Sequence, residues 1–167
     1  MLRKITITVA SLLGLDVIMA LVGWMLPKGH HASRTVTLAA SPDTVYAVIS
    51  EVGRYADWRS DVTLVELLPD EGRGLRFREH GGNGPIVFRV DHADPPRAFR
   101  VRIDDPGQPF GGTWTYALVP EETGTSLTIT EDGEVYNPIF RVLSRFVFSQ
   151  TATMDAYLAA LHRHLAH

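Results

Sequence analysis

The chain has 167 residues, a formal net charge of -3 and an isoelectric point near 6.1. This length is typical of one domain, which can bury roughly two thirds of its unfolded surface, and the weak negative charge argues against a basic nucleic-acid-binding face. The sequence contains no cysteine, which excludes disulfides, thiolate nucleophiles and zinc–thiolate sites.

Residues 1–27 are predicted to form an N-terminal transmembrane helix. The apolar run from Ile5 to Leu26 is about 22 residues long, which is enough to cross a hydrocarbon core of ~30 Å. Asp16 costs ~3 kcal/mol at the centre of such a helix, whereas the Leu, Ile and Val side chains together favour insertion by about 3 to 7 kcal/mol. A cleaved secretory signal is the alternative, but Ile18 places a large residue at the outer position of the nearest cleavage site.

The orientation of this predicted helix depends on its flanking charges. Arg3, Lys4 and the amino terminus precede the apolar run, whereas Lys28 and Arg34 follow it, so the positive-inside bias towards a cytoplasmic N-terminus is slight. We therefore expect a single-pass membrane protein whose following domain lies on the extracytoplasmic side. Asp16 shares a helical face with Ala20 and Gly23, which suits a second helix in the bilayer. A protonated or solvated Asp16 on a lone anchor is the alternative.

Residues 28–33 are predicted to be a polar linker between the anchor and the globular domain at residues 34–167. The linker contains His30 and His31, but no third metal ligand stands near them in the sequence, so a solvated tether is favoured over a metal site. His162 and His164 near the C-terminus fall on different helix faces, so a built metal site is not expected there either.

The globular domain is predicted to begin with a short strand from Arg34 to Ala40. The pair Ser41-Pro42 then indicates the start of a helix, and Gly53 is suited to its C-terminal end. A second short helical turn carries Tyr55 and Trp58. These two aromatic side chains are expected to close one end of the core or to line a ligand cavity.

Six further strands are predicted from residues that alternate between apolar and polar side chains. They are Val62–Leu68, Leu75–His80, Ile86–His92, Ala98–Asp104, Thr113–Val119 and Ser126–Val135. The connections between them are short and rich in Gly, Pro and Asp, which indicates antiparallel neighbours. Apolar positions such as Phe99 and Val101 alternate with Arg100 and Arg102, so the predicted sheet has one dry face and one solvated face.

The last element is predicted to be a single long helix from Asn137 to Leu165. Asn137 suits the N-cap position, and Pro138 suits the first helical position, where its missing N–H costs nothing. Apolar residues then recur at spacings of three and four, so one face of the helix must be covered. A sheet curved around this helix is the economical arrangement.

These elements, in this order, resemble the START-like ligand-binding superfamily, in particular its polyketide cyclase/dehydrase and lipid-transport type. The resemblance rests on the segments Ser41–Tyr46, Tyr55–Trp58 and Glu131–Pro138 and covers about residues 33–167. It implies an α+β helix-grip fold, in which a seven-stranded antiparallel sheet curves around the long C-terminal helix and leaves a cavity for an apolar or amphipathic small molecule. It implies no single chemistry, because members include carriers, ligand sensors, cyclases and other enzymes.

The inward positions of the strands and of the last helix give the predicted lining of this cavity. These residues are Trp58, Phe77, Phe88, Phe99, Trp114, Tyr116, Glu131, Phe140, Leu143 and Val147. The list depends on the strand phases, because a shift of one residue exchanges each member for its neighbour. The loop from Pro106 to Gly112, with Phe110, is predicted to be a lid. The sequence has no metal-binding or cofactor-binding motif, so neither group is expected.

Glu131 is the sharpest candidate for chemistry, because it is in register with Leu127 and Ile129 on the dry face. A buried carboxyl group is expected to have a raised pKa and to serve as an acid or base near neutral pH. The alternative is that Glu131 pairs with an arginine or caps a backbone group at a strand bulge. Glu79 and His92 have the same inward phase but lie at strand ends, where the phase rule often fails.

We therefore predict a membrane-anchored domain that binds a hydrophobic small molecule or lipid, with transport as a possible consequence. An enzyme of the cyclase or dehydratase kind, using Glu131, is the first alternative and the less favoured one. A structural or partner-binding membrane protein, whose sheet and helix close on each other without a cavity, is the second.

Overall fold

The computed structural model describes residues 18–70, 72, 74–82, 84–146 and 151–166. Its strands are β1 (Gly29–Leu38), β2 (Val62–Leu68), β3 (Arg76–Gly81), β4 (Ile86–Asp94), β5 (Ala98–Ile103), β6 (Phe110–Glu121) and β7 (Gly124–Val135). Its helices are α1 (18–25), α2 (Pro42–Ser50), α3 (Tyr55–Trp58), α4 (Pro138–Phe146) and α5 (Ala152–Leu165), and a 3₁₀ turn spans Val52–Arg54. The described strands form one antiparallel sheet in the order β1-β7-β6-β5-β4-β3-β2, which confirms the predicted α+β fold.

The alternation of side chains along the strands sets which face of the sheet is dry. Phe99 and Val101 are buried, whereas Arg100 and Arg102 between and after them are exposed, as predicted. α5 packs against the dry face through Met154 and Leu161, which are fully buried. The core therefore lies between the inner face of the sheet and α5, with α2 covering the rest of that face.

α2 begins as predicted, but it ends before the predicted position. The Ser41 hydroxyl accepts a hydrogen bond from the Thr44 backbone N–H at 3.2 Å, and Pro42 is the first helical residue. The helix ends at Ser50 rather than at Gly53, which lies in the 3₁₀ turn. The Tyr55 hydroxyl donates to the Ile49 carbonyl at 2.6 Å, so a side chain from α3 satisfies one of the free carbonyls at the end of α2.

β1 is longer than predicted, and the predicted linker at residues 28–33 is therefore wrong. β1 begins at Gly29, and its first five residues pair with β7 between Thr130 and Glu134. Pairing with a neighbouring strand satisfies the backbone groups of residues that carry no strand pattern of their own. His30 and His31 thus belong to the sheet.

The predicted anchor at residues 1–27 lies mostly outside the described residues, which include only its part from Ile18 onward. Within the part of the chain that the structure describes, no helix is long and apolar enough to span a membrane.

The predicted single helix from Asn137 to Leu165 is observed as two helices. α4 begins as expected, with the Asn137 side chain accepting a hydrogen bond from the Phe140 backbone N–H at 3.0 Å. A turn at Thr151 precedes α5, and residues 147–150 between the two helices, including Val147, lie outside the described residues. The sheet therefore grips α5 alone. The sequence pattern does not distinguish one helix from two, because apolar residues recur at helical spacing in both α4 and α5. Those of α4, however, do not face the core.

Candidate functional site

A cavity opens between the dry face of the sheet and the start of α5. Its volume is about 110 Å³, and about 580 Å³ of empty space is reached when the open mouth is included. Its walls are mostly apolar or aromatic side chains from β3 to β6, namely Phe77, Phe88, Val101, Ile103, Trp114 and Tyr116. Such a concave apolar space with a few polar groups is typical of small-molecule sites.

Half of the predicted lining residues contribute to this cavity, and the others lie elsewhere. The residues that line it are Phe77, Phe88, Trp114, Tyr116 and Glu131. Trp58 packs behind it against the Tyr157 ring, with 5.2 Å between centroids, and Phe99 is in the core beside Tyr46. Phe140 and Leu143 are on α4 and do not line the cavity, and Val147 lies outside the described residues.

The mouth of the cavity is made partly of backbone. Gly111, Gly112 and Gly133 line it on β6 and β7, and a Cβ at these positions would collide with Tyr136, Asp132 and His30, respectively. Gly112 has φ of +136°, and a Cβ there would collide with the Asp132 carbonyl, so glycine is required. The predicted lid residue Phe110 is the first residue of β6 and stacks on Phe140 at 6.4 Å, so it is held in the sheet rather than in a loop.

An ion pair between Arg59 and Glu79 stands in the wall of the cavity. The Arg59 Nη1 and Glu79 Oε1 atoms are 2.9 Å apart, and the two side chains are only 10% and 12% exposed. Arg59 also donates to Asp61 at 2.7 Å, and its guanidinium lies over the Tyr55 and Tyr157 rings at 5.1 and 5.3 Å. Cation–π contacts and two carboxylates therefore hold one desolvated cation in place.

Glu79 was predicted only weakly as an inward carboxyl group, and Arg59 was not predicted from the sequence. Arg59 directly follows the short helix α3, outside any predicted strand, and nothing in its local pattern points inward. The available signal was Glu79 itself, because a carboxyl group with an inward phase needs a cationic partner when it is buried.

Burial shifts the protonation equilibria of the groups in this wall. Burial raises the pKa of the Glu79 carboxyl group, and the charge of Arg59 opposes this effect only in part. Burial by itself lowers the pKa of Arg59, but hydrogen bonding to Asp61 and the charge of Glu79 outweigh it and raise that pKa. Burial also raises the pKa of the Tyr55, Tyr116 and Tyr157 hydroxyl groups, so these phenols remain protonated near neutral pH.

Glu131 lines the cavity on β7 and pairs with a histidine rather than with an arginine. Its Oε1 atom is 3.1 Å from His30 Nε2 on β1, and the two side chains are about one fifth exposed. His31 pairs with Asp132 in the same way on the other face, at 2.7 Å. The predicted tether is therefore wrong for both histidines, which belong to β1 and contact carboxylates of the neighbouring strand, and only His31 is solvent-exposed as predicted.

His92 is the remaining polar residue that was predicted to face inward, and its position excludes it from the cavity. His92 is exposed on β4 and does not line the cavity. Among the described residues, no group of three His, Asp or Glu side chains is arranged to hold a metal ion.

Comparison with known proteins gives a family match and a set of similar structures. Residues 29–166 match the family model described as polyketide cyclase/dehydrase and lipid transport. No curated protein sequence matches the chain significantly.

Several solved structures are similar to this chain in fold. The ZhuI aromatase/cyclase from Streptomyces sp. R1128 is 20% identical over 83% of this chain and 94% of its own, with a TM-score of 0.67. A START superfamily protein from Mycobacterium smegmatis is 20% identical over 82% of this chain and 97% of its own, with a TM-score of 0.65. Norcoclaurine synthase from Thalictrum flavum is 14% identical over 83% of this chain and 87% of its own, with a TM-score of 0.65. At these identities the similarity shows the fold alone.

Proposed function

Because the chain belongs to the polyketide cyclase/dehydrase and lipid transport family, we propose that it binds a hydrophobic or amphipathic small molecule in the cavity between the sheet and α5. The observation that carries this proposal is an open cavity with aromatic walls and one buried ion pair, Arg59–Glu79. Aromatic walls favour an apolar body, and a few fixed polar groups orient a ligand by its hydrogen-bonding groups.

The charges of the lining limit which ligand is suited to the cavity. Glu79 and Glu131 line it on β3 and β7, which are separated by three strands, and Arg59 supplies the cation beside Glu79. Carboxylate and guanidinium groups that already neutralise each other leave little attraction for a strongly anionic guest. A neutral aromatic molecule, or a lipid-like molecule with hydroxyl or amine groups, fits this lining best.

The proposal includes a membrane anchor at residues 1–27, with the binding domain on the extracytoplasmic side. It is supported by the apolar run from Ile5 to Leu26, which is about long enough to cross a bilayer. Holding an apolar cavity beside a bilayer shortens the path of a poorly soluble ligand and raises its effective concentration. Transfer of the ligand to or from that bilayer follows from this arrangement.

Blocking the mouth of the cavity tests the binding proposal. Thr153 is exposed at the start of α5 and lines the cavity, whereas its neighbour Ala152 is also exposed and does not. We expect Thr153→Trp to reduce the small molecules that co-purify with the full chain by at least roughly tenfold, because the indole fills the mouth. Mass spectrometry of solvent extracts measures the molar ratio of each molecule to protein.

Ala152→Trp is the matched control, because it adds the same indole on the outward side of the same helix. Its co-purifying molecules should equal those of the wild type. Equal amounts in both variants and the wild type, or no apolar molecule in repeated wild-type preparations, would contradict the binding proposal.

An enzyme that uses a carboxyl group of the cavity is the second candidate function. Glu131 faces the cavity with His30 behind it, an arrangement in which the carboxyl group can exchange a proton with a bound molecule. The fold is shared with an aromatase/cyclase and with norcoclaurine synthase, which adds weight to an enzymatic role. The third interpretation, a sheet and helix closed without a cavity, loses its basis because the cavity is present.

Glu131→Gln separates a catalyst from a carrier. If Glu131 is the acid or base, we expect turnover of the co-purifying molecule to fall by roughly 10²- to 10⁴-fold, while the amount bound stays nearly unchanged. Asp132→Asn is the control, because Asp132 is the next residue, pairs with His31 and points away from the cavity. Unchanged turnover in Glu131→Gln would remove the enzymatic role of this residue.

A further inference from the structure

We propose that the end of α1 and the outer face of α4 form a bilayer-contact surface, consisting of Trp24, Met25, Phe140 and Phe146 with the exposed cations Lys28 and Arg145. This inference rests on the proposed function, since it gives the anchored domain one orientation, with the mouth of its cavity next to the lipid. Four observations carry it.

A buried arginine fastens α1 to α4. Arg141 is only 5% exposed and donates to the carbonyls of Gly23 and Leu26 at 2.7 and 3.0 Å, and to those of Val135 and Tyr136 at 3.0 and 3.1 Å. The carbonyls at the end of a helix have no intrahelical partner and carry partial negative charge, so a guanidinium is well suited to them. The end of α1 is therefore fixed relative to α4.

α4 buries a charged residue and exposes two aromatic ones, while Ile139, Val142 and Leu143 are half-buried. Its buried residue is Arg141, whereas Phe146 is 69% exposed and Phe140 is 36% exposed. On the adjoining α1, Trp24 is 77% exposed and Met25 is 83% exposed. Exposed apolar residues scattered singly are ordinary, but four of them on two joined helices indicate a partner surface.

The charge and composition of the patch favour a lipid bilayer as that partner. α4 contains no acidic residue, and the exposed cations Lys28 and Arg145, which line one groove beside Arg141, are suited to anionic headgroups. Glu134, which interacts with the Tyr136 hydroxyl, is the acid beside the patch. Tryptophan is enriched at membrane interfaces, and the apolar run from Ile5 runs directly into α1 and ends at Leu26. If the apolar run from Ile5 to Leu26 inserts into a bilayer, the surface of that bilayer lies at the patch.

The patch also adjoins the mouth of the cavity. Phe110, at the start of β6, stacks on Phe140 of α4, and the Tyr136 ring packs against Gly111. Gly111 lines the cavity. Seating the patch in the headgroup region therefore brings the mouth to the membrane surface, where an apolar ligand enters or leaves without crossing water.

Site-directed spin labelling of the full chain tests this inference, and the absence of native cysteine allows single labels without a background. Phe146→Cys places a nitroxide on the patch. Val119→Cys is the matched control, because Val119 is also an exposed apolar residue, at 58%, near the other end of β6 from Phe110. Both chains are reconstituted in vesicles of phosphatidylcholine and phosphatidylglycerol, and collision rates with oxygen and with a water-soluble nickel chelate are measured.

We expect the label at residue 146 to be at least threefold more accessible to oxygen than to the nickel chelate, and the label at residue 119 to show the opposite ratio. The inference would be overturned if the chelate reached both labels or if the chain failed to associate with vesicles. It would also be overturned if neither oxygen nor the chelate reached residue 146, as expected under a protein partner. The wild-type assay of co-purifying molecules is read in parallel. If the label at residue 146 is exposed to water but the wild type retains a co-purifying molecule, only the bilayer-contact surface is rejected. If the label is exposed to lipid but no molecule co-purifies, only the proposed ligand binding is rejected.

Discussion

Replacing Arg59 by methionine is expected to lower the free energy of unfolding by about 3–5 kcal/mol at pH 8. Arg59 is the cation that compensates the buried Glu79 carboxylate at 2.9 Å, and methionine has similar bulk without charge. The substitution therefore leaves a desolvated carboxylate unpaired, which is among the largest costs that a single substitution can cause. Urea unfolding of the full chain in a mild detergent, followed by circular dichroism, measures the difference.

The pH dependence of this loss has a defined sign. Burial holds the pKa of Glu79 above its ordinary value of 4.5, so the folded chain retains a proton that the unfolded chain releases first. The contribution of Glu79 to stability is therefore greatest below pH 4.5 and falls as pH rises from there through the folded pKa. Removing Arg59 removes a charge that lowers this pKa, so the fall continues to higher pH in the variant. The deficit between variant and wild type should shrink towards pH 4.

Two controls separate the ion pair from general damage. The double variant Arg59→Met/Glu79→Gln removes both charges and should recover most of the lost stability, because no buried carboxylate remains. Arg97→Met disrupts an exposed pair with Asp94, in which the Arg97 side chain is 75% exposed, and should cost less than about 1 kcal/mol. A double variant as unstable as Arg59→Met would show that Arg59 acts through its ring contacts with Tyr55 and Tyr157 rather than through Glu79.

Arg141→Met is expected to release α4 and the end of α1 from the domain. The substitution removes four hydrogen bonds from a charged donor to buried or half-buried carbonyls, of which the Gly23 carbonyl still accepts from the Leu26 N–H, and this costs about 3 kcal/mol. Because α4 contacts the rest of the domain mainly through β7, the loss should appear as local opening rather than global unfolding. We expect the amides of α4 to exchange with deuterium about 100-fold faster, whereas those of the central strands change little.

Two variants of similar chemistry control this measurement. Arg145→Met removes an exposed arginine of the same helix and should leave the exchange of α4 unchanged. Arg141→Lys keeps the charge but cannot reach four carbonyls with one ammonium group, so it should restore only part of the protection. Protection of α4 that survives Arg141→Met would show that Pro138 and Gly23, whose backbones are in contact, hold the helix without the guanidinium.

The relation between sequence and site is clearest at the two carboxylates of the cavity. The strand phases predicted both inward positions, because side chains alternate strictly along a strand. Their partners are Arg59, 20 residues before Glu79, and His30, 101 residues before Glu131. Neither partner lies in the strand that precedes or follows along the chain, so no local pattern identifies it. The anchor at residues 1–27 and its orientation remain predictions.

The sequence by itself determined the strands, the caps at Ser41 and Asn137, and the face of the sheet that is dry. These features depend on the chemistry of neighbouring residues, through side-chain alternation, restricted backbone angles and short-range hydrogen bonds. Only the tertiary structure decided that β1 begins at Gly29, that α5 rather than α4 is gripped by the sheet, and that Arg141 is buried. Each of these depends on whether an element distant in the sequence offers unpaired backbone or side-chain groups at the right position.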